Sequence, residues 1–153
     1  QELENPTLPQ YKILECSSKG DNRFSAFGAK VKIFGKYDSI ENHYQLCKRF
    51  GDFIPKNWKD AKGKPATHIH IKGEDFDLEY LTPFYKLLWV KYLDENPDLV
   101  EYASTFDEYN DIFKGKSVNC QADVIRQYIK EGRKSIMDEC REFVDLMNEK
   151  FKK

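Results

Sequence analysis

Glu41, Gln45 and Lys48 recur at i, i+4 and i+7, with His43 and Tyr44 beside them. On a helix that spacing lines a carboxylate, an amide and an amine along one face. Such a stripe suits cleavage of a glycosidic bond, because the transition state puts positive charge on the sugar ring and a carboxylate stabilises it. A lysine with a lowered pKa could instead attack the anomeric carbon and form an imine with the opened sugar. The plain alternative fits the same spacing: Glu41 completes a capping box, and Gln45 and Lys48 belong to a solvated face. On the pattern alone the plain alternative is favoured.

Other groupings are weaker. Phe24-Ser25-Ala26-Phe27-Gly28 places two aromatics around small residues, either a stacking wall for a flat base or part of the core. His68 and His70 would share one side of a strand, but no third ligand lies nearby, so no metal is expected. The acid and base of Asp111-Ile112-Phe113-Lys114-Gly115 precede Lys116, Ser117 and Asn119. They suggest either a phosphate seat at a helix start or an ordinary capped loop. There is no G-x-G-x-x-G, P-loop or nucleophile elbow, and nothing in the sequence asks for a cofactor.

The elements that must position these residues follow from periodicity and punctuation. Residues 1 to 10, with Pro6 and Pro9, read as an extended arm. Tyr11 to Cys16 and Lys30 to Phe34 alternate as short strands, the second closed by Gly35. Asp38, as N-cap with Glu41 three residues on, predicts a helix to about Phe50, with Gly51 at its end. Asp52 to Pro65 reads as a surface excursion and Thr67 to Ile71 as a strand. Thr82-Pro83 and Asn96-Pro97 each open a helix. Asp107 to Ser117 reads as turn, Cys120 to Lys130 as helix with Gly132 past its end. Ile136, Cys140, Phe143, Met147 and Phe151 step by four, three, four and four along one last helix. The strands do not alternate regularly with the helices, so the prediction is a mainly helical α+β fold with a small sheet, not a doubly wound one.

A chain of 153 residues, 40% hydrophobic and 14% aromatic, fits one domain over residues 1–153 with a core of its own. A formal net charge of -1 gives no global field for nucleic acid, so a nucleic-acid substrate would need a local patch. Cys16, Cys47, Cys120 and Cys140 form no C-x-x-C pair. With no leader, long apolar run or N-x-S/T acceptor evident, the thiols are expected to be reduced. The compartment is expected to be the cytoplasm, that of the host if the source is a virus.

Taken in order, several of these pieces resemble the NADAR family. Phe24-Ser25-Ala26-Phe27 is similar to its F-S-N-F opening, and Ser39 to Lys48 to its S-x-E-H-x-Y-Q-x-x-K helix, with Gly35-Lys36 between them. Lys91-Tyr92 followed by Asn96-Pro97-Asp98-Leu99 resembles K-F-x-Q-N-P-x-L with one extra residue. Asp111 to Gly115 resembles D-x-x-W-G. The resemblance spans roughly residues 23 to 130 and implies a small α+β fold with N-glycosidase activity. Members remove ADP-ribose from guanine bases in nucleic acid, opposing DNA ADP-ribosyltransferase toxins, and relatives cleave riboflavin-pathway intermediates. It carries Glu41 over as catalytic carboxylate, Lys48 or Lys36 as the amine, and Asp111 as their neighbour. Phe24, Ser25, Phe27, His43, Tyr44, Gln45, Lys114 and Asn119 are expected around the ligand. The chain departs from the pattern at Ala26, Asn42 and Lys114. It also lacks a counterpart to a further tryptophan, with Phe76 the nearest aromatic. These departures touch base stacking more than the carboxylate. An N-glycosidase of phage or bacterial type is therefore expected. The competing readings are a non-catalytic nucleotide or ADP-ribose binding module and a protein-interaction domain.

Overall fold

A computed structural model describes residues 12–16, 20–61, 65–110 and 121–152. Its architecture is α+β, mainly helical, with short strands. Among the described residues the strands fall into three small sheets. Strand β1 (Ile13–Glu15) pairs in parallel with β7 (Glu108–Asn110). Strands β2 (Lys30–Ile33) and β3 (Lys36–Ser39) form an antiparallel hairpin. Strands β4 (Lys48–Arg49), β5 (His68–Ile71) and β6 (Glu74–Asp77) form an antiparallel sheet. Both tight hairpins turn on residue pairs at positive φ, Phe34 (50°) with Gly35 (84°) and Lys72 (49°) with Gly73 (82°), the backbone that a two-residue connection between twisted strands requires.

Helix α3 (Leu81–Asp94) is the centre of the packing. It buries Phe84, Tyr85, Leu88, Trp89, Val90, Tyr92 and Leu93. Around it lie α1 (Ile40–Leu46), α2 (Trp58–Ala61), α4 (Pro97–Ala103), α5 (Gln121–Arg126), α6 (Arg133–Glu139) and α7 (Arg141–Phe151). One cluster of buried side chains runs from Leu14 to Phe143 and includes Val31, Ile40, Ile69, Tyr109 and Ile136.

Several boundaries differ from the sequence reading for local reasons. The first helix starts after Ser39, whose side chain accepts from Asn42 N at 3.1 Å, while Asp38 Oδ1 accepts from Ser39 N and Asn42 Nδ2 instead. It ends at Leu46, so Lys48 lies on β4 and Gly51 (φ 63°) serves a later turn. Helix α3 begins at Leu81, one residue before Thr82, continuing a 3-10 turn over Leu78–Tyr80. Residues 108–110, expected as turn, pair with β1 and bury Tyr109. The segment after α5 continues as a π-helical turn, Gln127–Glu131, up to Gly132. The last apolar ladder is divided at Cys140, where backbone hydrogen bonds from Cys140 to Ile136 and from Val144 to Cys140 still bridge the bend.

Candidate functional site

Helix α1 is clamped at its start by the loop after residue 24. Ile40 N donates to Ala29 O and Glu41 N to Ala26 O, both at 2.9 Å, so two of the helix's orphan donors are satisfied by that loop. Ser25 organises the loop from within. It is fully buried, its carbonyl accepts from the N–H groups of Gly28 and Ala29, and its Oγ accepts from Phe27 N at 3.3 Å. Ala26 N donates in turn to Gln121 Oε1 at 2.8 Å, a partner 95 residues away that no local pattern could reveal.

With the cap at Ser39, the capping-box position falls on Asn42, which frees Glu41 from that task. The Glu41 carboxylate instead accepts from Gln45 Nε2 at 2.9 Å, the i, i+4 contact expected of this helix. Gln45 is only 5% exposed, and its Oε1 is a buried acceptor with no hydrogen-bond partner among the described residues. A buried polar atom of this kind is costly to leave unpaired, and here it adjoins the carboxylate.

Lys48 reaches the same neighbourhood from a different element. Its β4 position is directly opposite Ile69, a fully buried residue of β5, so the register turns the lysine inward. The residue is 9% exposed and its Nζ sits 4.7 Å from the centre of the Tyr44 ring. Tyr44 packs edge-on against Tyr85 at 4.8 Å, an aromatic floor to which the sequence reading had not assigned Tyr85. Burial pushes the Lys48 pKa below the ordinary lysine range, and the negative charge of Glu41 partly opposes that shift. Cys47, between helix and strand, is buried, and desolvation pushes its thiol up to about 12, so it is no nucleophile near neutral pH. Cys16 and Cys140 are buried thiols as well.

The other expected residues separate. Phe24 is fully buried and stacks on Tyr102 at 6.1 Å, so it belongs to the core and not to a ligand wall. Phe27 is 44% exposed. His43 donates through Nε2 to Val31 O at 2.9 Å and ties α1 to β2. Lys36 is exposed and lies 3.9 Å from Asp38, so of the two candidate amines only Lys48 is withdrawn from water. Phe76 is buried edge-on against Phe143 and Phe151. Asp111, Lys114 and Asn119 lie outside the described residues. The Tyr92 and Asn96 positions of the sequence pattern are structural ties: Tyr92 donates to Arg23 O, and Asn96 Nδ2 donates to Tyr92 O, both at 2.7 Å.

An open cleft of about 410 Å³ is lined by Gly28, Lys30, Tyr37, Tyr92, Glu95 and Asn96. It contains neither Glu41 nor Lys48. Gly28 is required there, because a Cβ would meet Asn22 O at 2.3 Å. His68 and His70 both approach Asp75, at 3.6 and 2.6 Å. No group of three metal-ligating side chains is assembled among the described residues, and no helix among them is long and apolar enough to cross a membrane.

The fold is the small α+β domain that the sequence resemblance implied. The chain belongs to the NADAR-DarT1 family, the DarT1-associated NADAR antitoxins, whose family model matches residues 2–153. No curated protein matches it.

Proposed function

We propose that the protein is an N-glycosidase that removes ADP-ribose from modified guanine bases in nucleic acid and thereby counteracts a DNA-modifying toxin of the DarT1 type. The observation that carries this reading is the buried Lys48 amine, its pKa lowered by burial and its charged form favoured in part by Glu41. The family's description as a DarT1-associated antitoxin supports the biological setting.

In this mechanism Lys48, as the free amine, attacks the anomeric carbon of the ribose. The bond from that carbon to the base nitrogen breaks and its electron pair leaves with the base. One amine proton passes to the departing nitrogen and the other to the ring oxygen as the ring opens to an imine. Water then hydrolyses the imine, returning ADP-ribose and the free lysine. The sum is addition of water across one bond, with no further co-reactant. The Glu41 carboxylate stabilises the positive charge that develops on the sugar. The buried Gln45 Oε1 supplies an acceptor for a substrate donor next to that carboxylate.

The test is borohydride trapping on ADP-ribosylated DNA, read by mass spectrometry alongside ADP-ribose release. Wild type and K36A should yield a covalent adduct and K48A none, and E41Q should slow release by about a hundredfold or more. E41Q should still bind ADP-ribose, which separates an enzyme from a binding module. A wild-type protein that leaves modified DNA intact would sink the proposal, as would E41Q turning over at the wild-type rate.

A further inference from the structure

We propose that the outer face of the β2–β3 hairpin is a platform for single-stranded nucleic acid, with Tyr37 stacking a base and Lys30 and Lys32 holding the phosphates on either side. The inference deepens the glycosidase reading and rests on it for which base is brought to Glu41. The platform itself rests on the hairpin.

Lys32 is directly opposite Tyr37 in the hairpin register, and directly opposed residues share a face. Lys30, two residues earlier on β2, projects to that same face. The opposite face carries buried Val31, so the hairpin is sided. Tyr37 is 67% exposed, and Lys30 and Lys32 are exposed with no ion pair among the described residues. The acids nearby are engaged. Asp38 accepts from Ser39 N and Asn42 Nδ2, and Glu95 in the cleft is held by Lys91 at 2.9 Å.

An exposed aromatic ring beside two lysines that have no ion pair among the described residues matches a polyanion with a flat face at every repeat, the chemistry of a single strand and not of a stacked duplex. A net charge of -1 leaves such contact to a local patch, and this is one. The platform also leads to the chemistry. Lys30 and Tyr37 line the open cleft with Gly28, and Gly28 lies two residues from Ala26, whose carbonyl accepts from Glu41 N. Exposed Phe27 stands between them. A strand laid along the hairpin is thus delivered to the loop that clamps the catalytic helix.

Fluorescence anisotropy with a labelled, unmodified oligothymidylate and its duplex tests the platform. Wild type and E41Q should bind the single strand alike and more tightly than the duplex. Y37A should weaken binding about fivefold or more. K30Q/K32Q should flatten the logarithmic salt dependence by about 0.7 per lysine. Circular dichroism melts matching wild type establish that both variants are folded. Three results would overturn the proposal: no salt-sensitive binding by wild type, duplex preference, or variants that bind as wild type does. Self-association that Y37A abolishes would give the face to a second copy and overturn it equally. If the strand binds through Tyr37 while modified DNA stays intact, the glycosidase reading falls and the platform stands. If ADP-ribose is released while Y37A and K30Q/K32Q bind DNA normally, the platform falls alone.

Discussion

A lysine withdrawn from water resists protonation, and Lys48 carries that penalty in the folded state only. The unfolded chain therefore binds more protons between the lowered folded pKa and the ordinary lysine range, and stability must rise with pH across that window. Urea unfolding over that range should show wild type gaining stability relative to K48M as pH rises. Near neutrality K48M should be as stable as wild type or more so, by up to about 1 kcal/mol, because a buried charge is exchanged for packing. Because Glu41 favours the charged amine, E41Q should lower the Lys48 pKa further, measurable by NMR titration of a labelled lysine. At this scale the sequence was partly readable. The Glu41–Gln45 contact followed from helical spacing. Neither the inward turn of Lys48 nor the bond from Ala26 to Gln121 has a local signature, since both depend on distant strands and loops meeting.

Helix α1 has seven residues, too short to persist without its supports. Ser39 is one of them, so S39A should cost about 1 kcal/mol of stability, seen in thermal melts, and should lower turnover as the helix start loosens. Gly35, at φ 84° in the first hairpin turn, should be similarly intolerant, with G35A costing about 1 kcal/mol. The sequence announced both positions as special, Ser39 in a cap cluster and Gly35 as a strand's end. It placed the cap one residue early because Asp38 and Ser39 are both good caps. The hydrogen bonds of the folded chain decide between them: Ser39 Oγ accepts from Asn42 N, whereas Asp38 Oδ1 accepts from Ser39 N and Asn42 Nδ2. Strand β7 was missed for the same reason: Glu108-Tyr109-Asn110 has one apolar residue and becomes a strand only by meeting β1 some 95 positions away.

Across the whole molecule the cores of the elements merge, and Phe143 is where several meet. Its ring stacks on Tyr80 at 5.2 Å and meets Phe76 and Phe84 edge-on at 5.4 and 6.4 Å. F143A should lose about 3–5 kcal/mol, a large share of the stability of a small fold, and calorimetry should find wild type melting in one transition. The α+β class was legible from punctuation and periodicity, and the Phe143 ladder from its step. The division of the strands among three sheets was not, because pairing partners leave no mark on a short strand. One consequence concerns β4. Side chains alternate across a strand, so if its two residues slid by a single place against β5, Arg49 would enter the interior and Lys48 would swing out to water. Glu41 and Lys48 are thus placed by two separate devices, a capped turn of helix and the tooth-by-tooth meshing of strands far along the chain. Damage to that strand pairing would move Lys48 while leaving Glu41 untouched, and on the proposed function it should abolish the trapped adduct.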